Sequence, residues 1–143
     1  MKHSSEVVIA APIETVIPWV SDLSLYPQWM PLVHSAEAIG ENAWAVELRA
    51  KVGVFARSKR LRMRRTHHEV TRIVFEREEV DGRKHSEWIL EIGIQQEDAG
   101  CRVVMQLTYG GNLWTAGVLD RVLASHIDAG KSGLARVVYG VTE

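Results

Sequence analysis

Arg77, Tyr109 and His126 are polar residues that the sequence pattern places next to apolar runs. Arg77 continues the alternation of Phe75 in one predicted strand, and Tyr109 ends the alternation of Leu107 in another. His126 lies at the edge of the apolar stripe of a predicted helix. In an apolar cavity, a phenol hydroxyl or an imidazole can orient a ligand carbonyl or transfer a proton. These three residues are therefore candidates for ligand contact and weaker candidates for acid–base catalysis.

Each of the three also has a structural interpretation. Arg77 would lie at a strand end in water, paired with Glu79. Tyr109 would keep its hydroxyl at the rim of the core, and His126 would be a hydrogen-bonded boundary residue. The sequence leaves both interpretations open.

Other catalytic and metal-binding patterns are weak or missing. His67 and His68 are adjacent, so a strand would direct them to opposite faces, and no HxxxH or HExxH spacing occurs. Cys101 is the only cysteine, which excludes a disulfide framework and a cysteine-based zinc site. No glycine-rich phosphate loop or serine nucleophile elbow is present. We expect neither a metal nor a cofactor.

Period-two alternation of apolar residues predicts an antiparallel sheet. A first strand at 3–10 precedes two short helices at about 12–22 and 23–30, and alternating segments follow up to Tyr109. Asp81-Gly82 is a predicted hairpin turn. The inward positions on these strands are Trp44, Leu48, Met63, Phe75, Trp88, Leu90, Met105 and Leu107.

The segment from Asn112 to Gly140 predicts one long amphipathic helix, with Asn112 as its N-cap and Gly140 as its end. Gly130 interrupts the apolar stripe of this helix. Either the backbone packs closely on a bulky neighbour there, or the missing side chain leaves a hollow for a ligand. The stripe itself comprises Ala116, Leu119, Leu123, Ile127, Leu134, Val137 and Val141.

The order of elements predicts an α+β fold, in which a curved antiparallel sheet of about six to seven strands wraps around the C-terminal helix. Such a sheet encloses more volume than one apolar stripe can fill, so the inward strand residues would line a cavity. A solid core is the alternative. The predicted ligand-binding set adds Arg77, Tyr109, Leu119, Leu123, His126 and Gly130 to those strand residues.

Composition sets limits on function. A chain of 143 residues, 46% apolar and 24% charged, is typical of one globular domain spanning 1–143. The net charge of −1 argues against binding to nucleic acid or an anionic membrane by bulk electrostatics. The sequence contains no membrane-length apolar segment and no N-terminal apolar run, so we expect no integral membrane segment and a cytoplasmic location.

A basic run at 57–65 is the one strongly charged stretch. Alternation puts Arg60, Arg62 and Arg64 on the outer face of a strand, where cross-strand pairing with acidic residues is the simplest account. No aromatic residues are interleaved there to stack bases, so nucleic acid is not an expected partner. Contact with an acidic protein or a membrane surface stays open. The outward acidic residues are Glu47, Glu76, Glu87 and Glu91.

Two segments carry a family resemblance. One is Ala11-Pro12-Ile13-Glu14-Thr15-Val16, at the step from the first strand to a helix; the other runs from Val20-Ser21-Asp22-Leu23 through Tyr26-Pro27-Gln28-Trp29-Met30-Pro31. They resemble the "A-P" and "D…YPxW.P" segments of the SRPBCC superfamily of START-like helix-grip proteins, in the polyketide cyclase/dehydrase and lipid-transport branch. The resemblance implies a largely apolar cavity between sheet and helix but carries over no catalytic set.

Two function classes follow. The first is binding or transport of a hydrophobic small molecule, such as a lipid, an isoprenoid or a polyketide-like ring system. The alternative is a cyclase, aromatase or dehydratase that uses acid–base residues in the same cavity. Beyond the ligand, the sequence leaves open a weak homodimer and a protein-interaction role for the basic strand.

Overall fold

One antiparallel sheet and one long helix make up most of the chain. The structure is a computed structural model and describes residues 2–52, 54–110 and 116–142. Three helical segments are present in this part: α1 (Ile13–Ser21), a 3₁₀ helix (Leu23–Gln28) and α2 (Ala116–Thr142). The strands are β1 (Lys2–Ile9), β2 (Val33–Gly40), β3 (Ala43–Val52), β4 (Phe55–Glu69), β5 (Arg72–Arg77), β6 (Trp88–Glu97) and β7 (Gly100–Tyr109).

The seven strands form a single sheet in the order β1-β7-β6-β5-β4-β3-β2, with every neighbouring pair antiparallel. β1 and β2 are the edge strands, and the pairing of β2 with β3 shifts register between Val33 and Ser35 and again between Ala38 and Gly40. One face of the sheet is buried under α1, the 3₁₀ helix and α2. This arrangement confirms the predicted helix-grip fold.

The helical segments after β1 form for local reasons. Pro12, in an extended conformation, stands immediately before α1, where its missing N–H costs no helical hydrogen bond. Asp22 begins the 3₁₀ helix because its Oδ1 accepts hydrogen bonds from the Ser24 amide (3.0 Å) and hydroxyl (2.6 Å). Val16, Val20 and Tyr26 then turn into the core.

α2 meets the 3₁₀ segment, which here means the 3₁₀ helix together with residues 29–33 that follow it, at two glycines. A Cβ at Gly133 would overlap the Trp29 carbonyl oxygen, and a Cβ at Gly130 would lie 2.8 Å from both Sδ and Cε of Met30. The side chain of Met30 therefore occupies the space beside Gly130, where one of the two interpretations of this glycine expected a hollow for a ligand. Beyond these glycines, Leu134 and Val138 are fully buried.

Two local predictions were wrong. Asp81-Gly82 does not close a tight hairpin, because β5 ends at Arg77 and β6 begins only at Trp88. Gly82, with φ of 74°, turns the chain inside the longer 78–87 connection. Gly140 does not end α2, which continues to Thr142, because Gly140 lacks the positive φ of a helix-terminating glycine. Outside the described part lie Asn112 and the side chains of Ala116, Leu119, Leu123, Ile127 and Val141.

The outer face of the sheet carries ion pairs. Arg60 Nε lies 3.3 Å from Glu47, as the strand pattern predicted. Arg62 and Arg64 contact Glu78 in the 78–87 connection, a residue that was not among the outward acidic residues expected from the strand pattern. This difference follows from the early end of β5, which brings the connection alongside β4.

Gly133→Ala should lower the free energy of unfolding by about 2 kcal/mol, because backbone atoms of Trp29 cannot yield to the new methyl group. Gly130→Ala is the matched control. There the neighbour is the flexible end of Met30, and the gain of about 1 kcal/mol in helix propensity offsets the crowding. Urea unfolding followed by circular dichroism measures both changes. Equal effects at the two positions would contradict the close backbone approach.

Candidate functional site

An apolar cavity of about 70 Å³ lies between the 3₁₀ segment and the concave face of the sheet. The 3₁₀ helix and the residues after it form one wall, and strands β3, β4, β6 and β7 form the opposite wall. No charged side chain is among the described lining residues. These are Leu23, Tyr26, Met30, Leu32, Val33, Val46, Leu48, Leu61, Met63, Trp88, Leu90, Met105 and Leu107.

Tyr26 is the one titratable residue among these. Its hydroxyl donates a hydrogen bond to the Val20 carbonyl (2.8 Å), and burial raises the pKa of Tyr26 well above its usual value. Its ring packs against Trp29, with 4.5 Å between ring centroids, and against the edge of Phe75. The phenol therefore stays protonated and fixes the 3₁₀ helix to α1 and the sheet.

Arg65 attaches α1 to the sheet and was missed by the sequence prediction. Its Nη1 donates to the Ser21 carbonyl at the end of α1 (2.6 Å), and its Nη2 donates to Asn42. Its guanidinium also lies 5.4 Å from the centre of the Trp44 ring. A cation at a helix C-terminus is stabilised by the exposed carbonyl groups. Alternation in the sequence could have identified Arg65, because residues 61, 63 and 65 lie on the same, concave face of β4.

Six of the predicted ligand-binding residues line the cavity: Leu48, Met63, Trp88, Leu90, Met105 and Leu107. Trp44 and Phe75 are buried and pack edge to face, with centroids 5.6 Å apart, and Tyr109 packs on Trp88 at 5.5 Å. Gly130 meets Met30. The side chains of Leu119 and Leu123 are outside the described residues. Lining residues not foreseen as ligand contacts are Leu23, Tyr26, Met30, Leu32, Val33, Val46 and Leu61.

Arg77 lies beside the cavity wall, opposite Met63 in the β4–β5 register. Only 9% of its side chain is exposed, and its Nε contacts Glu79 at 2.7 Å. Its Nη1 also donates to the carbonyl (3.2 Å) and the hydroxyl (3.3 Å) of Ser86. Arg77 thus has the Glu79 partner of its structural interpretation, but in a mostly buried position rather than in water.

His85 extends this polar group. Its Nδ1 lies 3.3 Å from Nη2 of Arg77, and its Nε2 lies 2.8 Å from Asp81. Because a guanidinium can only donate, Nδ1 must accept and Nε2 carries the hydrogen. Hydrogen bonds from the Arg83 amide and from His85 lower the pKa of Asp81. Arg77, Glu79, His85 and Asp81 therefore have their polar partners within the protein.

Two further titratable groups approach the concave side. Burial, followed by repulsion from Arg77, lowers the pKa of Lys59, which pairs with Leu48 across β3 and β4. His126 is partly buried on α2, and burial lowers the pKa of its imidazole. A neutral imidazole at pH 7 can both donate and accept a hydrogen bond.

Trp88 has an unused donor. Its indole Nε1 is buried and has no hydrogen-bond acceptor among the described residues. A buried donor without a partner costs about 1–3 kcal/mol.

The described residues contain no group of three or more His, Cys, Asp or Glu side chains placed to hold a metal ion. Among the same residues, no helix has both the length and the apolar character needed to cross a membrane.

The chain belongs to the polyketide cyclase/dehydrase and lipid transport family, whose sequence profile matches residues 1–138. Its fold is that of the START superfamily: a START superfamily protein from Mycobacterium smegmatis superposes with a TM-score of 0.78 at 15% identity, covering 98% of each chain. No protein of curated function gives a significant match to the sequence.

Two further solved structures show the same fold. The Zhui aromatase/cyclase from a Streptomyces species has a TM-score of 0.75 at 14% identity, with 100% of this chain and 96% of that chain covered. A conserved protein from Geobacillus kaustophilus has a TM-score of 0.78 at 13% identity, covering 98% and 96% of the two chains. Identities this low establish a shared architecture and leave the chemistry of each site separate.

Glu79→Ala should lower the free energy of unfolding by about 2 kcal/mol, because it leaves the buried Arg77 guanidinium without its counter-charge. Glu91→Ala is the control, since it breaks the exposed pair with Arg72 (3.1 Å) and should change stability by less than about 1 kcal/mol. Thermal and urea unfolding of both variants provide the measurement. A Glu79→Ala protein as stable as Glu91→Ala would show that Arg77 is solvated instead.

Proposed function

We propose that this protein binds a hydrophobic small molecule, such as a lipid, an isoprenoid or a polyketide-like ring system, in the cavity under the 3₁₀ segment. The observation that carries the proposal is the chemistry of the wall, which is apolar at all described positions apart from the hydrogen-bonded Tyr26 hydroxyl and the indole N–H of Trp88. Burial of apolar ligand surface would supply affinity at roughly 25 cal/mol per Å². The family description, which includes lipid transport, supports the same class of ligand.

The cavity volume indicates how such a ligand would enter. About 70 Å³ is far below the roughly 300–1,000 Å³ of typical small-molecule sites, so side chains must move on binding. Met30, Met63 and Met105 line the cavity, and methionine changes rotamer at low cost. Met30 occupies the space over Gly130, so its displacement would extend the cavity toward α2. The protein would thus be closed when empty and opened by its ligand.

A ligand with a carbonyl, hydroxyl or ether oxygen suits this site better than a pure hydrocarbon. Trp88 lines the cavity, and its buried indole N–H, which a ligand would reach only after side chains move, lacks an acceptor among the described residues. A ligand oxygen at this position would convert an unpaired donor into a hydrogen bond. This polar contact would add orientation to an affinity that comes mainly from apolar burial.

An acid–base enzyme of the cyclase, aromatase or dehydratase type has less support. Tyr26 is engaged with Val20, and Arg77 is engaged with Glu79 and Ser86. Tyr109, buried against Trp88, and His126, with its lowered pKa, are the groups that such chemistry would use. The binding proposal requires no proton transfer by either of them.

Leu90→Trp should weaken binding of an uncharged dye, N-phenyl-1-naphthylamine, by at least about tenfold, because the larger ring fills the cavity. Ile89→Trp is the matched control, since adjacent strand residues point to opposite faces. Fluorescence titration measures dye affinity, and native mass spectrometry of the purified protein detects a copurified ligand. An unchanged affinity for Leu90→Trp, or no dye binding by the wild type, would overturn the proposal.

Tyr109→Phe and His126→Ala separate the two function classes. If the protein only binds its ligand, each variant should keep dye affinity within about threefold, because neither removes apolar cavity wall. The enzyme alternative expects that cyclisation or dehydration of a poly-β-ketone, measured by mass spectrometry, occurs with the wild type and is lost in these variants. Turnover by the wild type would overturn the purely binding role and establish the alternative.

A further inference from the structure

Met30 lies between the apolar cavity and α2. Its side chain lines the cavity, and its Sδ and Cε atoms each lie 2.8 Å from the position that a Cβ would take at Gly130. The same side chain therefore borders the cavity on one side and the backbone of α2 on the other. Displacement of this side chain would give the cavity a narrow extension that reaches the helix, which we call the Gly130 arm.

The backbone of Met30 is held in place, whereas its side chain can turn. The Met30 amide donates a hydrogen bond to the Tyr26 carbonyl (2.7 Å), and the Met30 carbonyl accepts one from the Val33 amide (3.0 Å). The thioether side chain has three rotatable bonds and adapts to a changed space at low cost. A ligand could therefore displace the Met30 side chain while the 3₁₀ segment keeps its backbone contacts.

The wall of the Gly130 arm next to Met30 is formed by Trp29 and is rigid. Cζ3 of Trp29 lies 3.8 Å from the same Cβ position at Gly130. The Trp29 indole donates a hydrogen bond to the Trp19 carbonyl (2.9 Å), and its ring packs on Tyr26 with 4.5 Å between centroids. Three residues further along α2, backbone atoms of Trp29 take up the space beside Gly133. The arm is therefore bounded by fixed atoms on this side, which limits its width.

The two other methionines among the described lining residues have a different setting. Met63 and Met105 extend from β4 and β7, so the backbone of the sheet lies behind each of their side chains. Among the described glycines, Gly130 is the one whose missing side chain is replaced by a cavity methionine. The space gained at Met30 would therefore lengthen the cavity in one direction rather than widen it evenly.

We propose that Met30 selects ligands by length, and that the ligand carries a flexible hydrocarbon chain whose end displaces Met30 and enters the Gly130 arm. This inference rests on the proposed function and narrows its ligand class to acyl or isoprenoid chains over compact ring systems. A chain suits a narrow arm because each added methylene buries further apolar surface without requiring a wider space. Short chains would leave Met30 in place and would gain nothing from the arm.

The test is competition of straight-chain 1-alkanols, from hexanol to dodecanol, against N-phenyl-1-naphthylamine. For the wild type, affinity should rise about fourfold per methylene until the chain fills the available space. Met30→Ala removes Cγ, Sδ and Cε and leaves the arm open. It should therefore strengthen binding of the longest alkanols by at least about tenfold and change binding of hexanol by less than about threefold.

Two further variants locate the effect at the arm. Met30→Ala/Gly130→Leu refills the arm from the helix side, so the gain for the longest alkanols should disappear. Met105→Ala removes the same three atoms from the sheet wall and is the matched control, which should show no comparable preference for long chains. Thermal unfolding identifies variants that are misfolded, and Met30→Val, which retains more of the core contact, makes the same comparison if Met30→Ala does not fold.

The outcomes separate this inference from the proposed function. A wild-type protein that binds neither the dye nor any alkanol would overturn both. If the wild type binds the dye, the length-selecting role alone is wrong when affinity does not rise with chain length. It is also wrong when Met30→Ala and Met105→Ala strengthen long-chain binding equally, or when the added Gly130→Leu leaves the gain intact.

Discussion

The fold depends on how closely α2 approaches the backbone at Trp29. No side chain fits at Gly133, so the helix can lie directly on the Trp29 carbonyl. Leu134, which directly follows Gly133, and Val138, one turn later, are fully buried. The Tyr139 hydroxyl accepts a hydrogen bond from the Ala10 amide (3.0 Å). The C-terminal half of α2 is thereby fixed to Ala10 before α1 and to Trp29 after the 3₁₀ helix, and Trp29 is adjacent to Met30 in the cavity wall.

Buried charge in this protein supports structure around the cavity. Arg65 joins the end of α1 to the sheet, and Arg77 joins β5 to the 78–87 connection. Each guanidinium is mostly or partly buried and makes several hydrogen bonds, which offsets its desolvation. With these cations engaged, the cavity wall between them stays apolar. This separation of polar supports from an apolar interior is what a site for a hydrophobic ligand requires.

Alternation in the sequence was enough to predict the sheet, the concave positions and six of the lining residues, because a strand with one buried face must place every second residue inward. Alternation could not identify Met30 or Leu32, which come after a 3₁₀ helix and have no period. It could not choose between a hollow and a close contact at Gly130 either, since that depends on Met30, a hundred residues away in the chain. The Asp81-Gly82 prediction was wrong because residues 78–87 form a longer connection, in which Glu79 and Ser86 accept hydrogen bonds from Arg77.

The irregular edge strand β2 has a consequence for assembly. An exposed edge offers unpaired amide and carbonyl groups to any other extended chain, and a long regular edge promotes fibrous aggregation. The two register shifts in β2 break that row of groups near both ends of the strand. Only a short run around Ala36 and Glu37 keeps regular spacing, and the Glu37 carboxylate would be repelled by other acidic chains. The β2 edge is therefore a poorer template for the addition of another strand than a regular edge of the same length would be.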